Sequence, residues 1–455
     1  MADDSAAPAT LADYTPSADT WDHVVRAVAH TRHAGAAAVL MRATREHAHD
    51  AELLWLTRAV QSGKSRETLL VHATRLLRTA RVGEILAACP TPASRAELLA
   101  CGDRDNRSAL HWACHLRYKQ REECALVLVE LLLGAGADPL VRAHDSNIGS
   151  EFQPIHLAAR WSARLVQRLV QAGAPIDGDI AGTSTLRSAA VARTAVGVCM
   201  IPALVALGAR ETHGGAVMHI FAFDPVEGAP PPDGDVAAAL TVLVSVGCSL
   251  VQLNAEGDTP LDLASLSGNA PVVRALLAAG APATTCSLVH AVKHPGVLRL
   301  LLAAGAPVGE LVTPFGGANI SPLMQASRKA ALESVQLLLA AGATAACCNE
   351  RGWTALMFSL RSKSPGSAAV LGGAGVLLAA GADVGQRNQA GNAALHVVAM
   401  FSRDRPWAAA AARLLLESGA DGRVANNAGK TPVQCVPAKA RSGELYRLLL
   451  EAEGA

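Results

Sequence analysis

The sequence predicts an all-α fold, a solenoid of stacked helix-turn-helix units that follows an N-terminal helical region. The string LLAAGA occurs four times, at 276–281, 301–306, 338–343 and 377–382. Gly-Ala or Gly-Cys pairs recur at intervals of 25 to 39 residues from Gly136 to Gly454. The chain is 51% apolar but only 3% aromatic. This period, with a core of small aliphatic side chains, is typical of helical repeats that pack on their neighbours.

Each repeat is predicted to contain two helices. A leucine-rich run such as VRALLAAG forms the second helix, and the glycine after it ends the helix because glycine adopts the left-handed cap conformation without strain. A shorter first helix lies upstream and opens at a Thr-Pro or Ser-Pro pair. The hydroxyl of this pair caps the helix, and the proline sets the dihedral angle of its first turn.

The opening motifs of the first helices resemble the T-P-L-H-x-A signature of ankyrin repeats, and they stand at Ala109–Ala113, Gln153–Ala159, Asp258–Ala264, Ile320–Leu323, Ala394–His396 and Lys430–Val433. A second group resembles the tight turn at the tip of the ankyrin finger, at Asn254–Gly257, Asn349–Gly352, Asn388–Gly391 and Asn427–Gly429. The resemblance covers residues 103 to 455 in ten units. It implies that His111, His156 and His396 have a structural role, with each imidazole hydrogen-bonded to the backbone of the neighbouring unit.

Several segments depart from this pattern. The unit that ends at Gly305 is only 25 residues long, and Pro282–Cys286 is too short for a full finger. Insertions or long fingers are expected at Arg142–Gly149, Pro225–Asp233, Val308–Ala318, Ser362–Gly375 and Ser402–Trp407. The glycine-rich stretch Gly372–Gly375 is predicted to be an interhelical loop rather than a phosphate cradle. The apolar stretch Val236–Leu253 is in register with the repeats, which explains it without a membrane.

The first hundred residues differ from the array at 101–455. Residues 1–19 are acidic and rich in Pro, Ala and Thr, which predicts a disordered tail. Residues 20–100 are predicted to be helical, with Ser65 capping a helix that buries Leu69, Ala73, Leu76 and Leu77. Two interpretations remain open for 20–100: an armadillo-type helical unit, or degenerate ankyrin units that cap the array.

Composition excludes several function classes. A formal net charge of +1 and a pI near 7.7 give no reason to expect a nucleic acid or an anionic membrane as partner. The ten cysteines form no C-x-x-C pair, which predicts a reduced intracellular protein, cytoplasmic with the nucleus left open. Gly63–Ser65 lacks the first glycine of a phosphate-binding loop, and no nucleophile and base converge. We therefore expect no enzyme activity, no metal and no cofactor, and a monomer.

The predicted function is that of an interaction scaffold that binds a partner protein through the concave face of the array. In ankyrin repeats that face carries the finger tips, the residue before the Thr-Pro position and the end of the first helix, which here are Arg107, His115, Phe152, Arg160, Trp161, Asp258, Leu266, Glu350, Arg351, Trp353, Arg361, Met400, Phe401 and Lys430. The alternative function is an adaptor whose N-terminal region recruits a second factor.

Two binding clusters are predicted on this face. The N-terminal cluster comprises Phe152, Arg160 and Trp161, and the C-terminal cluster comprises Trp353, Arg361, Met400 and Phe401. Aromatic and arginine side chains dominate binding hot spots. The competing interpretation is that the rings pack against nearby insertions, above all Phe401 against Ser402–Trp407.

Overall fold

The computed structural model describes residues 69–87, 92–103, 105–115, 121–145, 150–177, 180, 184–192, 195–211, 216–223, 232–313, 319–361, 367–402 and 405–454. The predictions for the tail at 1–19, the motif at 63–65 and the rest of 20–68 lie outside these residues. The chain divides into two compact units. The first comprises Met1–Val217 with Val226–Cys248, and the second comprises Met218–Pro225 with Ser249–Ala455.

The described part of the first unit is built from helices and one hairpin. The helices are α1 (Leu69–Arg75), α2 (Thr79–Ala87), α3 (Pro92–Ala100), α4 (Ala109–Ala113), α5 (Glu122–Gly134), α6 (Pro154–Ala158), α7 (Ala163–Gln171), α8 (Thr185–Val191), α9 (Ala195–Ala206), the first residues of α10 (Ala216–Phe223), and α11 (Asp233–Ser245). First helices contact first helices, in the order α1, α4, α6 and α8, and second helices contact second helices, in the order α2, α5, α7, α9 and α11. Each helix pair therefore buries its apolar face on the next pair.

The second unit repeats this arrangement. Its helices after α10 are α12 (Pro260–Ser267), α13 (Ala270–Ala278), α14 (Thr285–Ala291), α15 (Pro295–Ala303), α16 (Pro322–Arg328), α17 (Leu332–Ala340), α18 (Ala355–Leu360), α19 (Ser367–Ala379), α20 (Ala394–Met400), α21 (Ala408–Glu417) and α22 (Glu444–Gly454). The first helices α12, α14, α16, α18 and α20 contact one another in sequence, and α13, α15, α17, α19, α21 and α22 form the second row. A 3-10 helix, Val433–Cys435, stands in the first-helix position of the last repeat.

Glycine ends the second helix of each repeat, as the sequence predicts. Nine glycines of the Gly-Ala series have φ between 81° and 104°, from Gly136 to Gly419. At the LLAAGA of α13, the backbone N–H of Ala281 donates to the Leu276 carbonyl at 2.9 Å, and that of Gly280 donates to Leu277 at 3.0 Å. These bonds satisfy the last carbonyls of the helix. Gly454 is the last residue of α22 but, unlike these nine glycines, does not have a positive φ.

The capping hydroxyls are where the sequence expects them. Thr259 Oγ1 accepts a hydrogen bond from the Asp262 N–H at 3.2 Å, and Ser321 Oγ accepts one from the Met324 N–H at 3.2 Å. Pro260 and Pro322 follow as the first helical residues, and both are buried. The Thr-Pro and Ser-Pro motifs thus define the starts of α12 and α16.

Two predictions about helix extent are wrong. Gly372–Gly375 is not a loop but lies inside α19. A Cβ added at Gly372 would stand 3.2 Å from the Leu332 side chain, so the missing side chains let α19 approach α17 closely. In α1, the helix ends at Arg75, and Leu76 is 44% exposed rather than buried, whereas Ala73 is buried as predicted.

The fingers between repeats carry the described β-structure. In the longest one, β1 (Ala143–Asp145) pairs antiparallel with β2 (Ser150–Phe152), with Ala143 opposite Phe152. Single bridges join the two sides of three other fingers, at Gly102 and Ser108, Val312 and Ile320, and Cys348 and Thr354. The short unit has no such finger, because α14 begins four residues after Ala281. The gap predicted at Pro282–Cys286 is therefore present.

No helix in the described ranges is both long enough and apolar enough to span a membrane. The apolar stretch beginning at Val236 forms most of α11, which stops at Ser245 before the capping glycine Gly247.

Candidate functional site

The finger tips are turns closed by one side-chain oxygen. Asn349 Oδ1 accepts hydrogen bonds from the backbone N–H groups of Arg351 and Trp353, at 3.1 and 2.9 Å. Asn254 and Asn388 make the same pair of bonds in their own fingers. In the last finger the closing residue is Asn426 and not Asn427, which corrects the predicted register by one residue.

The first finger uses a variant of the same turn, which the sequence pattern did not reveal. Asp103 Oδ1 accepts from the N–H groups of Asp105 and Arg107, at 3.0 and 2.9 Å. Asn106 has a φ of 59°, in the position that glycine occupies in the other fingers. Asparagine tolerates this left-handed conformation better than most residues.

Neighbouring tips are hydrogen-bonded to each other. In the second unit, Gln389 donates from its backbone N–H to the Arg351 carbonyl at 3.0 Å and from Nε2 to the Glu350 carbonyl at 2.8 Å. The next tip continues the row, because the Asn427 N–H donates to the Ala390 carbonyl at 3.1 Å. In the first unit, the His144 N–H bonds the Asp105 carbonyl at 2.9 Å. The tips form a continuous surface within each of these groups of fingers.

His111 and His396 have the structural role that the resemblance implies, while for His156 the structure gives the bond that its Nδ1 accepts from the Gln153 N–H, at 2.9 Å. His396 Nδ1 accepts from the Ala393 N–H at 3.2 Å, and its Nε2 lies 3.1 Å from the Lys430 carbonyl in the next finger. His111 bonds the Ser108 N–H and the Phe152 carbonyl in the same way. These contacts require a neutral ring with the proton on Nε2. Burial lowers the pKa of both rings, that of His111 to about 3, which keeps them neutral.

His219 also fits this position but was not recognised, because its segment lacks the proline. Its Nε2 lies 2.9 Å from the Gln252 carbonyl and 3.3 Å from the Asp258 carbonyl. The repeat that contains His219 therefore keeps the contact that links a first helix to the following finger, although it lacks the proline.

Aspartate replaces histidine in α12. Asp262 Oδ2 accepts from the Thr259 N–H at 3.0 Å, and its Oδ1 accepts from Ser287 Oγ at 2.6 Å. Asp258 was expected on the binding surface, but it is buried, with Oδ1 3.7 Å from His290 Nε2. Burial raises the pKa of the Asp258 carboxyl. This polar group links α12 to α14 at the place where the finger is missing.

The N-terminal cluster is only partly exposed. Trp161 was expected on the surface, but it is 5% exposed, and its Nε1 donates a 2.9 Å hydrogen bond to the Cys114 carbonyl at the end of α4. The surface assignment of this ring is therefore wrong. Phe152 and Arg160 are half-buried, and the Phe152 ring meets His111 edge-on with ring centroids 5.6 Å apart.

Arg107 and His115 lie beside a buried tryptophan in the same unit. The Arg107 guanidinium stands 5.1 Å from the Trp112 ring and pairs with Asp103 at 3.2 Å and with Asp105. The His115 ring stacks on Trp112 at 5.3 Å. Both predicted residues are half-buried, and the charge of Arg107 is already matched by carboxylates.

The C-terminal cluster forms a chain of arginine–aromatic contacts. The Arg361 guanidinium lies 5.2 Å from the Trp353 ring and 5.5 Å from the Phe401 ring. Arg405, which was not predicted, lies 5.8 Å from Phe401 and 5.2 Å from Trp407. Arg361 is exposed, whereas Trp353, Phe401 and Arg405 are half-buried. Phe401 therefore does contact the insertion, as the competing interpretation held, while it also contacts Arg361.

The remaining predicted residues differ in exposure. Glu350, Arg351 and Lys430 are exposed at finger tips, whereas Leu266 and Met400 are half-buried near the ends of α12 and α20. Within the described ranges, no group of three or more His, Cys, Asp or Glu side chains could hold a metal ion.

The stacked helix pairs, the glycine caps and the hydrogen-bonded finger tips define a tandem-repeat protein in which each repeat is a pair of helices. The ankyrin repeat family model matches residues 105–144 and 256–287, which contain the first finger with α4 and α5 and the finger turn with α12 and α13. Both segments match ankyrin repeats, and the rest of the described array follows the same pattern of helix pairs and capping glycines. Ankyrin repeats are generally protein–protein interaction modules, and the fold is typically not an enzyme.

Two solved structures illustrate the similarity. The ankyrin repeat domain of human ASB11 is 22% identical, with a match covering 52% of this chain and 98% of that chain and a TM-score of 0.41. The ankyrin repeat domain of Bcl-3, of the IkappaB protein family, is 24% identical, covering 53% of this chain and 100% of that chain with a TM-score of 0.39. No curated protein matches the sequence.

Proposed function

We propose that this protein is an interaction scaffold that binds a partner protein through the finger tips and first-helix ends of its second unit. The observation that carries the proposal is the C-terminal cluster, in which the Arg361 guanidinium contacts the rings of both Trp353 and Phe401. Such side chains contribute most of the energy at protein interfaces when they are held rigidly.

The adjoining tips extend this surface. Glu350 and Arg351 are exposed beside Trp353, and their carbonyls are hydrogen-bonded to Gln389 of the next tip. A partner that contacts Trp353 can therefore reach two neighbouring fingers without ordering either of them. The buried Trp161 and Asp258 are left out of the proposed surface.

Site-specific photo-crosslinking tests where the partner-binding surface lies. A photoreactive residue is placed at Arg351 or Lys430, on the finger tips, or at Arg413, which is exposed on the second helix α21. We expect crosslinks to a recurring partner from the first two positions and not from Arg413. Crosslinks from Arg413 alone would move the binding surface to the second helices and reject the proposal.

Two substitutions separate binding from folding. Trp353→Ala and Phe401→Ala are each expected to weaken capture of the crosslinked partner by tenfold or more, at about 1.4 kcal/mol for each factor of ten. Trp161→Ala is the comparison for folding: it should lower the unfolding midpoint because Trp161 is buried, whereas Trp353→Ala and Phe401→Ala should leave the midpoint close to that of wild type. Normal capture by both Trp353→Ala and Phe401→Ala would contradict the assignment.

For the N-terminal region we propose that residues 69–87 cap the array as a degenerate repeat. This proposal is supported by contacts, since α1 packs on α4 and α2 packs on α5, the pattern that successive repeats follow. Removing residues 1–87 should then destabilise the first unit, which urea denaturation measures. An unchanged unfolding midpoint, together with a factor that binds residues 1–100 alone, would instead favour the adaptor function.

A further inference from the structure

The first helices of four successive repeats in the second unit end in basic residues. Lys293 follows α14, Arg328 and Lys329 close α16, Arg361 follows α18, and Arg405 lies just beyond α20. Because α14, α16, α18 and α20 pack on one another in this order, their ends lie side by side. We call these five residues the basic strip.

The like charges of the strip affect one another. The pKa of Lys329 is lowered by burial and then by the charges of Lys293 and Arg328. The pKa of Arg405 is lowered by burial and then by the charge of Arg361, which contacts the same Phe401 ring. Bringing cations together in this way is unfavourable for the free protein.

The carboxylates that the structure describes do not neutralise the strip. Among the residues that the structure describes, no ion pair involves any of its five members. By contrast, exposed arginines on the second helices are paired: Arg299 with Glu333 and Arg413 with Glu444, each at 2.7 Å. Among the described residues, these arginines of the second helices are thus paired with carboxylates, whereas the basic residues at the first-helix ends are not.

Helix termini account for only part of this arrangement. A cation at a helix C-terminus is stabilised by the helix dipole, by about 0.3–1 kcal/mol. Arg405 also donates to the Leu360 carbonyl at 3.3 Å and Arg328 to the Gln325 side chain at 2.9 Å. Arg361, however, is exposed and is held by Trp353 and Phe401 with no acceptor for its N–H groups among the described residues. A rigid, planar set of donors that faces solvent is suited to a carboxylate.

We infer that the basic strip binds an acidic segment of the partner protein, rich in Asp and Glu, that runs across the ends of α14, α16, α18 and α20. This inference rests on the proposed function and specifies the chemistry of its partner. Carboxylates would relieve the repulsion within the strip, and Arg361 would donate to one of them. A nucleic acid fits less well, because the Trp353, Phe401 and Trp407 rings already contact guanidinium groups and the chain as a whole has a formal charge of only +1.

The probe is a fluorescein-labelled peptide in which Asp and Glu alternate with Ser and Gly, compared with a peptide that carries Asn and Gln instead. Fluorescence anisotropy with the full chain should show binding of the acidic peptide that weakens as NaCl is raised. Arg361→Gln and Lys329→Gln should each weaken it by about three- to tenfold. The matched controls Arg299→Gln and Arg413→Gln remove the same charge from second helices and should leave the affinity unchanged.

Three outcomes would overturn the inference: equal binding of the acidic and amide peptides, equal loss in the second-helix controls, or tighter binding of a single-stranded oligonucleotide than of the acidic peptide. The proposed function is judged separately by the crosslinking at Arg351 and Lys430. A partner captured there by a protein that ignores the acidic peptide would reject the acidic segment while leaving the scaffold function in place.

Discussion

The Trp161 indole N–H donates a 2.9 Å hydrogen bond to the Cys114 carbonyl, so that a residue just past α6 closes the end of α4 in the preceding repeat. The ring is 5% exposed and Cys114 is fully buried. Trp161 therefore joins two repeats and does not contribute an exposed binding ring.

Substitutions at Trp161 should reduce stability. We expect Trp161→Ala to lower the free energy of unfolding by about 3–5 kcal/mol, since it leaves a cavity and an unsatisfied carbonyl. Trp161→Phe keeps the bulk but not the N–H, and should lower it by about 1–3 kcal/mol. Urea denaturation followed by circular dichroism measures both. The exposed Arg164→Gln serves as the control, and a Phe variant as stable as wild type would show that the hydrogen bond has no net effect.

Stability should depend on pH through His111. Its pKa is about 3 in the folded protein and 6.5 in the unfolded chain, so its contribution is fully present above pH 6.5 and is lost as the pH falls toward 3. Below 6.5, each pH unit should lower the free energy of unfolding of wild type by up to about 1.4 kcal/mol relative to His111→Gln.

Urea midpoints of wild type and His111→Gln, measured between neutral and mildly acidic pH, test this dependence. His144→Gln is the control, because His144 is exposed in the long finger. Parallel pH profiles for wild type and His111→Gln would mean that His111 does not titrate differently in the two states.

A charged residue introduced at a buried position of the second helices should unfold the neighbouring repeats. Leu301 and Leu338 are fully buried in α15 and α17, which contact each other. Leu301→Asp or Leu338→Asp should lower the free energy of unfolding by several kcal/mol, roughly 3–5, because an unpaired carboxylate is buried. Leu311→Asp, at a position that is 38% exposed, should have little effect. If Leu301→Asp melted like wild type, the packing of these rows would be wrong.

Gly268 offers a test of close approach. Its φ is 77°, and an added Cβ would lie 2.4 Å from His294 Nδ1, whereas Gly280 has a φ of 90° with open space around the added atom. Gly280→Ala should lower the free energy of unfolding by about 1–2 kcal/mol from backbone strain alone. Gly268→Ala should lower it by a further 1–3 kcal/mol or so, because the His294 ring must move. Equal losses in the two thermal or urea unfolding experiments would contradict this contact.

The parts of the fold that depend on local backbone chemistry could be predicted from sequence. The glycine at the end of each second helix and the Thr-Pro at the start of α12 form hydrogen bonds or set dihedral angles only within the adjoining turn. These helix ends can therefore be identified from the residue types alone. The prediction of a loop at Gly372–Gly375 was wrong because the conformation there depends on packing between helices. The glycines suggest a loop, but a Cβ added at Gly372 or Gly373 would lie 3.2 Å from Leu332 or 3.5 Å from Ser359 of a neighbouring helix, so these glycines allow close packing of helices.

The candidate site was predictable only in part. The position in the repeat indicated Trp353, Arg361 and Phe401, and the Arg361 guanidinium contacts both rings. The same rule failed for Trp161, because its burial depends on a carbonyl 47 residues away. Arg405 was missed because it stands in an insertion, where no repeat register indicates what a side chain will contact.

The hydrogen bonds between finger tips have a consequence for the kinetics of recognition. The backbone N–H groups of Gln389 and Asn427 donate hydrogen bonds to carbonyls of the preceding tips. Exchange of these two amide protons with solvent therefore requires the tips to separate. Loops held in this way have already lost their conformational entropy during folding, and a partner that docks on them does not have to order them. Association should then be limited by encounter and orientation rather than by loop closure, and changes in this surface should act mainly on how long the complex lasts.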